Sequence, residues 1–257
     1  MDRDIFVQKY LERIKLQGNV LADLDTLTKI HKQHLLNIPF ENLNIIDNKK
    51  IEFDIEKMWT KIVEEQRGGI CYELNGLLFH LLALIGFEVK YISAKVLDDG
   101  NEFDHVLIIA LINSDCFLVD VGFGDGFLEP IKLEVDIVQK DLKGYFKIIE
   151  VEEEGYQLLK SADGSEYSPE YTFSLKERSL DDFKERCFDF ETSPDSRFRR
   201  NRLCSLENES GRVSLKDNKL IITENGKRIE KEIQNLNEYQ IHLKQMFNIV
   251  IKDLRPK

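Results

Sequence analysis

Apolar residues recur every three or four positions through the first 86 residues of the chain, the spacing of one face of a helix. The pattern predicts three helices before residue 65 and a fourth that begins at or near Cys71. The fourth carries a leucine-rich apolar face, and Gly86 is expected to end it. Residues 39–43 follow the second helix at a proline and are predicted to form a loop. The first third of the chain is therefore expected to be helical.

After Gly86 the apolar period changes from about 3.6 to 2, as expected where helices give way to strands. Strands are predicted at 89–96, 103–112, 116–121, 145–151, 156–161 and 167–173. Turns are predicted between them, among others at 98–101, 113–115 and 153–155. A short helix within 180–190, hairpin strands between 212 and 233 and a closing helix from about Leu236 follow. These elements predict an α+β fold with an antiparallel barrel or strongly curved sheet.

Composition limits the class of protein. The chain has 257 residues, of which 42% are hydrophobic and 32% charged, enough for a large buried core. The net charge of −11 argues against a nucleic-acid partner, which normally needs a basic face. No signal peptide or membrane-spanning apolar run is recognisable, so no membrane partner and a cytoplasmic location are expected.

Cys71 differs from the other three cysteines in its predicted position. At the start of a helix, unpaired N–H groups and the helix dipole favour a thiolate. Gly68 and Gly69 come just before it and are expected to release the backbone at this point. The other cysteines lack these features and are interpreted as structural residues. The four show no paired spacing, so no metal site is predicted and free thiols of a reducing compartment are expected.

A cysteine nucleophile needs a histidine that can take and return its proton near neutral pH. His31 and His34 lie in a helix of mixed polarity and are interpreted as surface or core-edge residues. His80 lies nine residues along the helix of the cysteine, about 13 Å away along the axis. His242 belongs to a polar C-terminal helix. The remaining candidate is His105, which interrupts an apolar strand where an unpaired polar group is costly.

Asp120 is the predicted partner of His105. Pairing their two strands about the turn at 113–115 brings the two residues together within one residue of register. A carboxylate on one imidazole nitrogen leaves the other free for Cys71, which is a papain-like order of nucleophile, base and orienting group. The alternative is a buried structural pair that has no relation to the cysteine.

Two further stretches each allow two interpretations. Glycines at 124 and 126 either turn backbone N–H groups towards a ligand, as in an anion nest, or form an ordinary tight turn. A basic cluster either forms a solvated, salt-bridged turn or binds an anionic cofactor such as a phosphorylated nucleotide. Its members are Arg197, Arg199, Arg200 and Arg202.

Several motifs together resemble the arylamine N-acetyltransferases. The resemblance rests on residues 67–75 (RGGICYELN), 39–43 (PFENL), 105–108 (HVLI), 120–124 (DVGFG) and a downstream segment from Ser193 to Leu203. It implies a helical bundle, an antiparallel β-barrel and a C-terminal α/β lid around a papain-like Cys-His-Asp core. On this basis the domains are expected at 1–86, 87–192 and 193–257.

The resemblance also implies a function and roles for individual residues. It implies acetyl-CoA as co-substrate, an arylamine or arylhydrazine as acceptor, a ping-pong reaction through acetylated Cys71, and a role in xenobiotic metabolism. His105 would be the base and Asp120 would orient it. Arg67 would pair with Glu41 and lock the loop before the nucleophile. The residues expected near the cofactor are Gly124, Asp125 and Gly126, and those expected near the aromatic acceptor are Phe40, Phe123 and Phe198.

Asp104 departs from the resemblance, because the family carries hydroxyl or apolar residues there. On a strand its side chain should point away from that of His105, and turning towards the imidazole would make the histidine more basic. Three alternatives to acetyl transfer use the same predicted site in another way. Water or a tethered amine as acceptor would give a hydrolase or an amide synthase, and an inactive site would give a binding protein for CoA or xenobiotics.

Overall fold

The computed structural model describes residues 2–96, 100–152, 155–251 and 254, so the turns predicted at 98–101 and 153–155 lie partly outside the described residues. Helices come first along the chain, strands dominate the middle, and the last third is mixed. The helices are α1 (Arg3–Arg13), α2 (Leu24–Asn37), α3 (Leu43–Ile46), α4 (Ile55–Trp59), α5 (Cys71–Ile85), α6 (Lys184–Thr192), α7 (Arg197–Arg200) and α8 (Leu236–Phe247). A π-helical turn at Thr60–Glu64 extends α4, and a 3-10 turn at Leu180–Phe183 precedes α6.

The strands form two antiparallel sheets. They are β1 (Phe40–Glu41), β2 (Glu88–Lys95), β3 (His105–Ile112), β4 (Asp115–Val119), β5 (Ile131–Lys132), β6 (Val138–Asp141), β7 (Gly144–Val151), β8 (Gly155–Ser161), β9 (Ser168–Phe173), β10 (Leu203–Asn208), β11 (Gly211–Lys216), β12 (Lys219–Glu224) and β13 (Lys227–Glu232). The larger sheet has the order β5-β4-β3-β2-β9-β8-β7-β6, and the smaller one β1-β10-β11-β12-β13.

The central helix α5 organises the N-terminal helices. It begins at Cys71, and Gly86 ends it with a left-handed φ of 114°, as predicted. Five of its six leucines are completely buried in a core shared with α1, α4 and one face of the larger sheet, and the sixth, Leu84, packs against that core partly buried. A helix that is apolar on nearly all sides must be surrounded, which explains why it lies between the bundle and the sheet.

The two glycines before Cys71 serve a purpose different from the one predicted. Neither has a positive φ, and the left-handed residue of this turn is Gln66 at 55°. A Cβ on Gly68 would lie 1.8 Å from the carbonyl oxygen of Pro39, and one on Gly69 would lie 2.7 Å from a carboxylate oxygen of Glu73. The prediction of a released backbone is therefore wrong, because these positions need glycine for close packing and not for an unusual conformation.

The larger sheet curls into the predicted barrel and is nearly closed. Its two edge strands, β5 and β6, are joined by one side chain instead of a ladder. The Gln139 side-chain amide donates to the Lys132 carbonyl at 2.7 Å, and its oxygen accepts from the Lys132 amide at 2.8 Å. An edge covered in this way offers fewer free backbone groups. Inside the barrel, a second core packs residues of β2, β3 and β7 to β9.

The smaller sheet and α8 form the predicted C-terminal α/β lid with a core of its own. Residues 39–43, predicted to be a loop, contribute the first strand of the smaller sheet. Phe40 pairs with Ser205 and Glu41 with Cys204, and α3 follows at once. The sequence prediction was wrong here because the partner strand lies more than 160 residues away along the chain.

The α+β class with a helical bundle, a barrel and a lid is confirmed. The domain boundaries at 86 and 192 stay a prediction, and β1 shows that the first segment is hydrogen-bonded into the sheet of the third. In the part of the chain that the structure describes, no helix is both long enough and apolar enough to cross a membrane.

Candidate active site

Cys71 is the first residue of α5 and is 97% buried, with its side chain at the edge of a cavity. The opposite wall comes very close to it at Gly122, just beyond β4. A Cβ on Gly122 would lie 2.6 Å from the Cα of Cys71 and 2.9 Å from its Cβ. Only glycine therefore allows the loop after β4 to lie against Cys71.

His105 and Asp120 form a buried pair beside this cysteine. Nε2 of His105 lies 2.8 Å from Oδ2 of Asp120, and both side chains are nearly inaccessible to solvent. The predicted register was wrong by one residue. The ladder of β3 and β4 ends with Ile108 opposite Val119, so His105 and Asp120 are two positions out of register and not one. An even offset keeps both side chains on the same face of the sheet, whereas an offset of one would have separated them.

Asp120 leaves the other ring nitrogen of His105 available, and Cys71 lines the same cavity as this ring. Burial by itself lowers the pKa of His105, but the Asp120 carboxylate and the Cys71 sulfur outweigh this effect and raise the pKa to about 10. The arrangement therefore favours a charged imidazole between an anionic carboxylate and the sulfur.

Asp120 receives more hydrogen bonds than the sequence analysis foresaw. Oδ1 accepts from Nδ2 of Asn75 at 3.0 Å and from the Gly122 amide at 2.9 Å, while the Tyr171 hydroxyl lies 3.4 Å from Oδ2. Burial raises the pKa of Asp120, but His105 and these donors hold it below the ordinary value. Asn75 was missed, although its position one helical turn after Cys71 places it on the same face of α5.

His31 was interpreted as a surface or core-edge residue, and this interpretation is wrong. The ring is completely buried and stacks on Phe127 at 5.3 Å. Nδ1 lies 2.9 Å from the Leu128 carbonyl oxygen, and Nε2 lies 3.0 Å from the Asp120 carbonyl oxygen and 3.2 Å from the Asp120 amide nitrogen. Burial lowers the pKa of His31 and favours the neutral ring, whose Nε2 accepts from the Asp120 amide when Nδ1–H donates to Leu128.

The other histidines are remote from the sulfur. His34 is also completely buried, which corrects the same interpretation, and its Nδ1 lies 2.7 Å from the Tyr10 hydroxyl. His80 packs its ring edge against Phe6 on the far side of α5, and His242 lies 3.7 Å from a carboxylate of α8. His105 is the histidine that the fold brings to Cys71.

A buried network of four charges supports the turn before Cys71. Arg67 Nη2 lies 2.7 Å from Glu41 Oε1, so the ion pair suggested by the resemblance is present, and it is buried. Lys61 Nζ lies 2.7 Å from Glu73 Oε1 and 3.8 Å from Glu41, which joins the two pairs. Glu73 also accepts from the Ile70 amide at 3.1 Å. Lys61 and Glu73 were missed, because helical periodicity alone places both on an ordinary helix surface.

The cavity beside Cys71 has a volume of about 410 Å³. Three aromatic side chains predicted near the acceptor contribute to its wall, namely Phe40, Phe123 and Phe198. Of the positions predicted near the cofactor, Gly124 and Asp125 line it and Gly126 does not. Gly124 has a φ of 97°, so the positive φ that a glycine nest requires occurs at this residue. The wall thus combines aromatic faces with a glycine turn.

Asp104 lies just before β3, where its side chain is not bound by the alternation of a strand, and it lines the same cavity. Its Oδ1 accepts from Nε of Arg186 at 2.6 Å, and its Oδ2 accepts from the Asn101 amide at 2.9 Å. The carboxylate is therefore engaged by a cation from α6. The prediction that a strand geometry orients Asp104 does not apply.

A buried cysteine, histidine and aspartate beside a cavity with an aromatic wall are the arrangement that thiol-dependent acyl transfer requires. Comparison with known proteins gives the family. Residues 23–255 match the family model described as N-acetyltransferase. The chicken pineal gland arylamine N-acetyltransferase isozyme NAT-3 is 30% identical over 95% of this chain and 94% of its own length. The chain belongs to the arylamine N-acetyltransferase family and is an acyltransferase.

Two other similarities bear on the ligands. A proansamycin X synthase from Amycolatopsis mediterranei is 28% identical over 91% of this chain and 94% of its own length. The structure of the Mycobacterium marinum arylamine N-acetyltransferase in complex with CoA superposes with a TM-score of 0.88 at 25% identity, covering 97% of this chain and 94% of that one. The overall fold is therefore shared with a protein that binds CoA.

Proposed function

We propose that this protein transfers the acetyl group of acetyl-CoA to arylamines and arylhydrazines by a ping-pong reaction through acetylated Cys71. The observation that carries the proposal is the buried contact of 2.8 Å between His105 and Asp120 beside this cysteine. The CoA complex of the similar Mycobacterium marinum enzyme supports CoA as the carrier of the acetyl group. The aromatic wall of the cavity supports an aromatic acceptor.

In the first half-reaction, the sulfur of Cys71 attacks the acetyl carbonyl carbon as a thiolate. The bond between that carbon and the CoA sulfur breaks, and His105 gives its proton to the departing CoA thiolate. Free CoA and acetylated Cys71 result, and the imidazole is now neutral. Asp120 keeps the ring in position throughout, because its carboxylate holds Nε2 while the other nitrogen faces the reacting atoms.

In the second half-reaction, the acceptor nitrogen attacks the acetyl carbon on Cys71. Neutral His105 takes the proton that the nitrogen loses, and the bond to the Cys71 sulfur breaks. The products are the N-acetylated amine and the original pair of thiolate and imidazolium. Gly124, Asp125 and Gly126 are proposed to lie near the donor, and Phe40, Phe123 and Phe198 near the acceptor ring.

Free CoA thiol, measured with and without an acceptor, tests the proposal. Acetyl-CoA should give one equivalent of thiol per protein without acceptor and continuous release after an arylamine is added. The Cys71→Ala variant should give none, while Cys116→Ala, which changes a cysteine outside the site, should behave as the wild type. Continuous release without any amine would make the protein a hydrolase and would contradict the proposal.

Amide synthesis with a tethered amine is the second candidate, because a proansamycin X synthase is among the similar proteins. A thioester whose acyl chain carries a distant arylamine separates the two functions. Cyclic amide from this substrate, with no acetyl transfer to a free arylamine, would favour the second candidate.

We also propose a metabolic role and a cellular location for this reaction. Acetylation of foreign arylamines would be a form of xenobiotic metabolism, and the expected location is the cytoplasm. All four cysteines are unpaired, which fits a reducing compartment.

A further inference from the structure

Some charged side chains in the wall of the catalytic cavity have a partner of opposite charge, and others have none among the described residues. Among the described residues, the wall contains the Cys71 thiol and six further titratable side chains, namely Asp104, His105, Asp125, Arg197, Arg212 and Lys216. Four of them have a partner of opposite charge. His105 pairs with Asp120, and Asp104 pairs with Arg186. Arg212 pairs with Glu207. Asp125 lies 2.9 Å from Lys143 and 3.2 Å from Lys160. These four are satisfied by the protein itself.

Arg197 and Lys216 are different. In the ranges that the structure describes, no carboxylate lies within ion-pair distance of either side chain. Both are exposed to solvent on the open side of the cavity. The Arg197 guanidinium lies 5.2 Å from the centre of the Phe198 ring, which also lines the cavity. Among the described residues of this wall, the two charges left without a partner are therefore both positive, in a protein whose net charge is −11.

We propose that Arg197 and Lys216 form an anion-binding subsite at the open side of the catalytic cavity. The subsite takes a carboxylate or phosphate group of a ligand whose other end reaches Cys71. A guanidinium stacked on an aromatic ring is held in place and still presents its donors, and it binds carboxylate and phosphate in a bidentate manner. This inference rests on the proposed function, since it concerns the ligands of the same cavity.

The structure also separates the basic cluster that the sequence suggested as one patch. Arg199 donates to the carbonyl oxygen of Glu191, and the Arg202 guanidinium packs 4.9 Å from the centre of the Tyr239 ring in the lid. Of the four arginines, Arg197 is the one that lines the catalytic cavity. The other three arginines do not line the cavity. The cation that lies there together with Arg197 is Lys216, which ends β11 and is paired with Leu203 in the ladder.

Two sources can supply the anion. An acidic substituent on the arylamine would place a carboxylate there, and the donor would place the 3′-phosphate or pyrophosphate of CoA there. The double variant Arg197→Gln/Lys216→Gln removes both charges and keeps side chains of similar size. Arg200→Gln is the matched control, since Arg200 belongs to the same short helix and does not line the cavity.

Each protein is assayed with 4-aminobenzoate and with the neutral 4-aminobenzamide, using acetyl-CoA or acetyl-dephospho-CoA as donor. If the acceptor supplies the anion, the double variant should lose about tenfold in kcat/KM for 4-aminobenzoate and less than about twofold for the amide, because a charge-assisted contact is lost only with the former. If the donor supplies it, KM for acetyl-CoA should rise about tenfold while the ratio of the two acceptors stays unchanged.

Either pattern should weaken in high salt, since exposed charges are screened, and Arg200→Gln should show neither. Unchanged constants for both acceptors and both donors in the double variant, or equal changes in Arg200→Gln, would overturn the inference. The charge-reversed variant Arg197→Glu should enlarge the effect, and its failure to do so would count against the subsite as well. Failure of the proposed function itself would appear differently, as absence of acetyl transfer to the neutral amide by the wild-type protein.

Discussion

His31 holds the backbone of Asp120. Its Nε2 lies 3.2 Å from the Asp120 amide nitrogen, and its Nδ1 lies 2.9 Å from the carbonyl oxygen of Leu128. One buried ring therefore fixes both ends of the loop that follows β4. Because the Asp120 carboxylate orients His105, a residue of α2 influences the proposed base through two hydrogen bonds.

Replacing His31 tests this influence. His31→Leu should lower the rate of Cys71 acetylation by about tenfold or more, because a displaced orienting carboxylate misaligns the base. His31→Gln can still donate and accept, and it should recover most of the rate. The single-turnover rate at saturating acetyl-CoA separates this effect from donor binding. A purely structural role would lower the melting temperature of both variants and leave the rate of the folded protein unchanged.

Gly122 and Gly126 form a matched pair of glycines on the loop after β4. Gly122→Ala places a methyl group 2.6 Å from the Cα of Cys71 and should lower the acetylation rate by at least about 100-fold through displacement of the nucleophile. Gly126→Ala meets its nearest atom at an ordinary 3.8 Å, so at saturating acetyl-CoA it should keep the wild-type acetylation rate even if the affinity for the donor changes. Acetylation rates of the two purified variants give the comparison. Equal rates would mean that the close approach at Gly122 is dispensable.

Arg67 neutralises a completely buried carboxylate. Arg67→Ala leaves Glu41 with Lys61 at 3.8 Å as its remaining cation and should lower the free energy of unfolding by about 3–5 kcal/mol. Arg200→Ala, at an exposed position, should change it by less than about 0.5 kcal/mol. Urea unfolding at neutral pH measures both. A small effect of Arg67→Ala would show that the buried network contributes little to the stability of this turn.

The raised pKa of His105 predicts a dependence of stability on pH. A group with a raised folded-state pKa stabilises the protein fully below its unfolded pKa, here 6.5, and the stabilisation is lost as the pH rises through the folded-state value. The Cys71→Ala background is needed, because the sulfur also contributes to the raised pKa of His105. In that background the Asp120 carboxylate alone raises the pKa, so the window opens at 6.5 and closes at or below about 10.

The measurement is urea unfolding at pH 7 and pH 9. Cys71→Ala should lose stability between the two values, whereas Cys71→Ala/His105→Gln should lose clearly less, since no imidazole titrates at this site. The same slope in both proteins would show that Asp120 does not hold a charged imidazole.

Local patterns in the sequence were sufficient to place Cys71 at the start of its helix and to predict where that helix ends. Gly86 ends α5 as predicted, and Cys71 begins it, because capping and apolar periodicity act within a few residues. The pair of His105 and Asp120 also followed from a short hairpin, although the register differed by one residue and Asp120 lies one residue beyond the strand.

Contacts between distant parts of the chain could not be predicted in this way. His31 meets Asp120 across 89 residues, and Glu41 pairs in a ladder with Cys204. Nothing in the mixed polarity of α2 indicates that its histidine is buried, because that depends on the loop packed against it. The packing role of Gly68 likewise depends on where Pro39 lies in the fold, and not on the local sequence.

The central claim is that Cys71 carries the acetyl group between donor and acceptor. The most direct measurement is the intact mass of the protein after incubation with acetyl-CoA alone, followed by addition of an arylamine. The wild type should gain the mass of one acetyl group, located on Cys71 by peptide mapping, and should lose it when the amine is added, while Cys71→Ala stays unmodified. An unmodified wild-type protein that still forms acetylated amine, or an acetyl group on Cys71 that the amine does not remove, would contradict the claim.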